Sequence, residues 1–146
     1  MNRQPRLAPG EFGEWTRYLA SSRNAGRCER CNKRPAVEHH HRRPRRMGGA
    51  GRIDDETTAG AANALCLCHE CHDMTERRDR RRAIGDGVIL KARQTPDEVP
   101  VRAYMGGRWG FWVLDDTGGY RPAEYAPQPS IRRDREEPTA RASPTW

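Results

Sequence analysis

The chain has 146 residues, an apolar fraction of 34% and a mean hydropathy of −1.06, which fits one compact domain with tails and leaves little material for a large core. It contains no run of about 18 apolar residues and no apolar stretch in residues 1–10, so no membrane contact, no transmembrane helix and no signal peptide are expected, and a cytoplasmic protein is predicted. The formal net charge of +7 is lopsided: residues 1–85 carry 18 basic and 11 acidic side chains and residues 86–146 carry 9 of each, so the first part is expected to meet an anionic partner, most simply DNA.

In chain order, residues 1–10, with Pro5, Pro9 and Gly10, read as a flexible lead-in. Phe12, Trp15, Tyr18 and Leu19 lie near helical spacing and predict an amphipathic helix over 11–24, closed at Asn24-Ala25-Gly26. Cys28-Glu29-Arg30-Cys31 predicts a metal knuckle, and 36–41 a short strand leading out of it. Residues 42–62 form a long basic loop with Gly48, Gly49, Gly51 and Gly60, of a length that is often functional. A short apolar run over 63–68 leads to Cys68-His69-Glu70-Cys71-His72 and a basic helix over 70–84, ended by Gly85 and Gly87. Residues 88–91, 99–104 and 109–114 read as strands separated by Pro and Gly turns, a small antiparallel appendage. From 126 onward, Pro, Arg and Glu predict disorder.

Two Cys-x2-Cys pairs carry the strongest chemical signal. In a reduced compartment such pairs are metal ligands more often than disulfides. Cys28, Cys31, Cys68 and Cys71 can give Zn2+ four thiolates in a closed, structural site that has no position open for water. The fifth cysteine, Cys66, is expected to pack as a small apolar residue. Histidines give the second signal. Hydrolysing a phosphodiester requires an activated water and a stabilised leaving oxygen, which a neutral imidazole and a divalent cation provide. His39-His40-His41 offers both a ligand and a base, and His72, beside a zinc ligand, offers a second ligand.

These residues resemble the HNH endonuclease family, in its zinc-stapled form common in phage genomes. The matching pattern is Cys28-x2-Cys31, His40-His41-Arg42-Arg43-Pro44, Asn63 and Leu67-Cys68-x2-Cys71-His72. It covers residues 28–85, with a less specific likeness in 87–114. The resemblance implies an α+β fold: a small ββα-metal (HNH/His-Me finger) core stapled by the four-cysteine zinc site, with an N-terminal helix and a small C-terminal β appendage. Together with the elements read above, this divides the chain into a lead-in and helix (1–27), a nuclease domain (28–85), a β appendage (86–125) and a tail (126–146).

The resemblance also implies roles. His41 would be the general base, His40 and His72 the ligands of one catalytic divalent cation (Mg2+, Mn2+, Ni2+ or Zn2+), and Asn63 the residue that ties the loop so that His41 is held. Arg42, Arg43, Arg45 and Arg46 would meet flanking phosphates. Strand alternation places His39 and His41 on one face and favours His39 as ligand, whereas the spacing to Pro44 favours His40; Glu38 is a weaker ligand candidate. In a phage, the partners implied are DNA and, in genome packaging, the terminase and portal, in the host cytoplasm. The alternative is a zinc-stapled nucleic-acid-binding module without catalysis; a protein-interaction factor ranks last.

Overall fold

A computed structural model describes residues 6–45, 55–91 and 93–124. In order, it contains helix α1 (Glu14–Ser22), strand β1 (Glu38–His41), a one-turn helix α2 (Asp55–Thr58), a 3-10 turn (Ala61–Asn63), strand β2 (Ala64–Leu67), helix α3 (His69–Asp73), a π turn (Met74–Arg78), helix α4 (Arg80–Gly85), and strands β3 (Val101–Met105), β4 (Arg108–Leu114) and β5 (Tyr120–Pro122). It is a small mixed helix and sheet protein. No helix among the described residues is long and apolar enough to cross a membrane. The expected tail and part of the long basic loop lie outside the described residues.

The hairpin β1–β2 is the centre of the arrangement. Its antiparallel register pairs Glu38 with Leu67, His39 with Cys66, His40 with Leu65 and His41 with Ala64. Every residue of β2 is buried, because each of its faces meets a different apolar group. Ala64 and Cys66 pack with Phe12 and Ala20 on the α1 side. Leu65 and Leu67 face a larger core with Ala83, Val88, Val101, Met105 and Leu114. Burying each leucine of this kind contributes about 1.5–3 kcal/mol.

Helix α1 is shorter than predicted, and its aromatic stripe is not its buried side. Phe12 is buried ahead of the helix, while Trp15 and Tyr18 are exposed and stack on each other with centroids 5.3 Å apart. The helix is held instead through Ala20 and, just beyond its end, Arg23. The predicted stop is observed: Gly26 takes a left-handed φ of +74° and its N–H bonds the Ser21 carbonyl at 2.8 Å. Arg23 and Glu29 form a fully buried ion pair, with Arg23 Nε 2.9 Å from Glu29 Oε1. Glu29 Oε2 also accepts the Cys66 N–H at 2.8 Å, and Arg23 donates to the carbonyls of Ala61 and Ala64. One pair thus stitches α1, the first knuckle and β2 together.

The predicted helix over 70–84 is broken. After α3 the ladder widens into the π turn, where the Asp79 N–H reaches the Met74 carbonyl at 2.8 Å. Asp79 leaves helical geometry (φ −141°, ψ 59°) and its Oδ1 caps α4 through the Arg82 N–H at 3.2 Å. An aspartate in a run of arginines has no apolar face to bury, and its side chain competes for the backbone.

Residues 88–91 do not form the predicted strand. Val88, Ile89 and Leu90 are buried as expected of such residues. Their N–H groups, however, bond the Ala83 and Arg42 carbonyls rather than a ladder. Gly87, at φ +72°, lets this turn approach the Pro100 carbonyl, where an added Cβ would lie 2.0 Å away. Strands β3 and β4 match their predicted positions to within two residues. The three-residue β5 carries Pro122 and has all its residues exposed, so neither periodicity nor composition marks it. The resulting sheet, β3–β4–β5, is not set apart as an appendage, since Val101, Met105, Trp112 and Leu114 share one core with Leu65 and Leu67.

Candidate metal centres

The four predicted cysteines come together. Cys28, Cys31, Cys68 and Cys71 place their sulfurs within 4.8 Å of one another, with Cys31 Sγ 3.8 Å from Cys68 Sγ. Two backbone turns build the site. In the first, Asn32 at φ +54° swings the chain so that the Lys33 N–H points at Cys31 Sγ (3.4 Å). In the second, Cys68 caps α3 and accepts the Cys71 N–H on its sulfur (3.4 Å). Burial raises the thiol pKa of Cys28 and of Cys71, and the neighbouring sulfurs push Cys71 further up. Cys31 is lowered to about 7: burial opposes this, but the Lys33 N–H and the other cysteines outweigh it. As thiolates, four sulfurs this close would repel one another without a cation between them, and the group can hold a metal ion such as zinc. Cys66 stands apart on the other face of β2, where burial pushes its pKa up to about 12 and it packs as an apolar residue.

A second cluster lies at the junction of β1 with α3. The ligand atoms of His40, His72 and Glu76 lie within 4.8 Å of one another. His40 is 4% exposed. Its Nε2 is 3.0 Å from the Val88 carbonyl; a carbonyl only accepts, so this nitrogen carries the proton and Nδ1 keeps its lone pair. Burial lowers the His40 pKa to about 4, which leaves the ring neutral at pH 7. The Nδ1 lone pair faces Glu76 Oε1 at 3.3 Å, and His72 Nε2 is 4.0 Å from the same oxygen. Glu38 Oε2 lies 3.1 Å from His72 Nδ1 and 3.7 Å from His69 Nδ1, and among the described residues this buried oxygen has no hydrogen-bond partner. A cation between the His40 Nδ1 lone pair and the Glu76 carboxylate, which also lies 3.9 Å from Arg80, would offset their mutual repulsion. Two ligands on one ion at about 2.0–2.2 Å stand at most about 4.4 Å apart, and the 3.3 and 4.0 Å separations fit.

His40 and His72, paired in the sequence as ligands, are therefore brought together. Sequence reasoning misses Glu76, although its signal is present: His72 and Glu76 stand four apart on one helical face. Alternation along β1 also puts Glu38 on the His40 side. Alternation does hold, and it places both His39 and His41 on the α1 side, away from the cluster. His39 Nε2 meets Ser21 Oγ at 3.0 Å. The His41 ring stacks on Phe12 (centroids 3.7 Å apart, planes 9° apart), and its Nε2 meets the Gly10 carbonyl at 2.8 Å. His41 is thus not among the residues gathered around His40.

Asn63 is fully buried and ties the loop. Its Oδ1 accepts the Arg43 N–H (2.7 Å), and its Nδ2 donates to the Arg43 and Thr58 carbonyls (3.0 and 2.8 Å). The chain is pinned two residues after His41.

Two of the arginines expected on phosphates are elsewhere. Arg42 is 0% exposed. Its guanidinium donates to the carbonyls of Gly87, Ala62, Pro96 and Val99, at 2.7–3.1 Å. A cation enclosed by backbone dipoles acts as a structural strut. Arg43 is 2% exposed and donates to the carbonyls of Lys91 and Gln94. Both read as a basic surface run in the sequence because charge alone does not reveal which arginines satisfy buried carbonyls. Arg45 is exposed, and Arg46 lies outside the described residues.

Comparison of the chain with family models, with curated proteins and with solved structures finds no match.

Proposed function

We propose that the protein is a metal-dependent DNA endonuclease of the HNH type, hydrolysing phosphodiester bonds, with β1, β2 and the helical segment after them as a ββα-metal core. The observation that carries this reading is the convergence of His40 Nδ1, His72 and the Glu76 carboxylate at the hairpin–helix junction, with Glu38 against the other ring nitrogen of His72. His40, His72 and Glu76 would hold a divalent cation, and Glu38 would orient His72. Bound there, such an ion supplies Lewis-acid polarisation of the phosphodiester and stabilisation of the leaving 3′ oxygen.

The chain's own groups supply the rest. The Val88 carbonyl fixes His40 in the tautomer that leaves Nδ1 as a ligand, an arrangement common to metal-bound histidines. The Gly10 carbonyl fixes His41 in the same way, leaving its Nδ1 able to take a proton from water. His41 is the last residue of β1, so DNA crossing the strand end would meet both faces. Asn63 holds that end in place, and exposed Arg45, four residues after His41, would take a flanking phosphate.

Plasmid cleavage with Mg2+, Mn2+, Ni2+ or Zn2+ tests the proposal. Nicking or cutting is expected with at least one ion, with a loss of about 10²- to 10⁴-fold in His41→Ala and loss of cleavage in His40→Ala and Glu76→Ala. Full activity in His41→Ala would remove its role as base; full activity in the other two would remove the metal site. The rival reading, a zinc-stapled nucleic-acid-binding module, is favoured by one observation, the placement of His41 on the face away from the cluster. Tight DNA binding with no cleavage under any of the four ions would establish it.

A further inference from the structure

A cleft of about 340 Å³ opens between the helical segment and the sheet, with Cys71 at one wall and no residue of the histidine cluster in its lining. Met74 and Arg82 line it from the helical segment, and Arg102 and Trp109 from β3 and β4. Its volume is at the small end of ligand sites, about 300–1,000 Å³, suited to one ring system rather than an extended chain.

Trp109 is 46% exposed and Met74 equally so, a large apolar area to leave in water in so hydrophilic a chain. The Arg102 guanidinium lies 5.9 Å from the Trp109 ring centroid and, among the described residues, is in no ion pair. Arg82 is exposed and only loosely paired, with its Nε 3.6 Å from Asp86 Oδ2. That carboxylate is shared with Arg30, which donates to it and to the Arg102 carbonyl, each at 2.9 Å. Asp79 is occupied in capping α4. Tyr104 packs edge-on against the Trp109 ring, with centroids 5.7 Å apart, so what remains for a ligand is the exposed part of the indole, a thioether and the cations of Arg82 and Arg102.

We propose that this cleft binds one unpaired nucleotide of a single-stranded nucleic acid, its base stacked on Trp109 and its phosphates met by Arg82 and Arg102. An aromatic face with flanking arginines is the combination that holds unstacked bases irrespective of sequence. An acidic peptide would use the cations but not the exposed indole. The same helical segment carries His72 and Glu76, next in sequence to the cleft residues Cys71 and Thr75. The inference rests on the nucleic-acid part of the preceding reading but not on cleavage.

The test is equilibrium binding of the full-length, zinc-loaded chain to a labelled single-stranded oligonucleotide and to the matching duplex, without added divalent cation, so that absence of nuclease activity leaves the readout intact. Trp109→Ala is expected to weaken single-strand binding about 5- to 150-fold and leave duplex binding unchanged. Trp109→Phe, which keeps a ring, should retain most of the affinity and guards against misfolding of the alanine variant. Arg82→Ala and Arg102→Ala should weaken single-strand binding and each reduce its salt slope by about 0.7. Single-strand affinity unchanged in Trp109→Ala, an equal loss on the duplex, or equal competition by an acidic peptide of the same charge would each overturn the proposal.

Discussion

Cys71 and His72 are neighbours on α3, yet they belong to two clusters with opposite design. The cysteine cluster is closed: four like side chains from two backbone turns, two of them buried, with N–H groups aimed at sulfur. The histidine and glutamate cluster is open on one side, with the His72 and Glu76 side chains 31% and 40% exposed and His40 at its floor. A metal ion held by the first would offset the repulsion among its thiolates and link metal to folding. The second is assembled by elements that are already folded, and leaves room for another molecule. The two clusters thus differ in ligand type and in exposure: two of the four cysteines are buried, and of the second group only His40 is.

The sharpest way to break the comparison is to attack the closed site. Chelation, or Cys68→Ser, should unfold the chain, because structural zinc contributes on the order of 10 kcal/mol in small domains; zinc content and thermal melting followed together would record it. A melt insensitive to chelation would mean that the core stands without the staple. The buried Arg23–Glu29 pair should come next. Glu29→Ala leaves an enclosed guanidinium without its carboxylate and is expected to cost about 3–5 kcal/mol, seen as a lowered Tm with zinc retained.

Asn63→Ala removes three hydrogen bonds in a buried position and should cost about 1–3 kcal/mol, with faster proteolysis of the loop that it ties. His72→Ala and Glu76→Ala, at the open site, should change stability by about 1 kcal/mol or less while abolishing cleavage. If either variant lost zinc as Cys68→Ser does, the two clusters would be one. The smallest effect belongs to Arg45→Ala, which should leave Tm unchanged and lower the salt slope of duplex binding by about 0.9, the share of one phosphate.

Much of this is legible from residue type and spacing. Cys-x2-Cys pairs have few uses other than a metal, so the closed cluster can be named residue by residue. The strand at 36–41, α1's stop at Gly26 and two strands of the later sheet are read from the sequence; the pairing of β1 with β2 is not. Resemblance suggests a tether at Asn63, and its three bonds reach Arg43 and Thr58. Glu76 escapes notice because a glutamate among arginines reads as a solvated face; only its spacing of four from His72 hints otherwise. The arginines mislead for the converse reason, since Arg42 and Arg43 answer carbonyls that become buried only when distant segments close over them.

The sequence by itself named the four cysteines, His40 and His72 as side chains able to hold a metal, because ligand chemistry belongs to the residue. It also determined where the chain turns, because Gly, Pro and Asn limit the backbone locally. Tertiary structure decided which faces meet. It turned His40 toward His72 and His41 toward Phe12, sank Arg42 among four carbonyls, and merged the late sheet with the early core. Those outcomes depend on contacts between residues far apart in the chain, such as Arg42 with Val99 and His40 with Val88. No local pattern encodes such contacts; they are set by which apolar surfaces can be buried together.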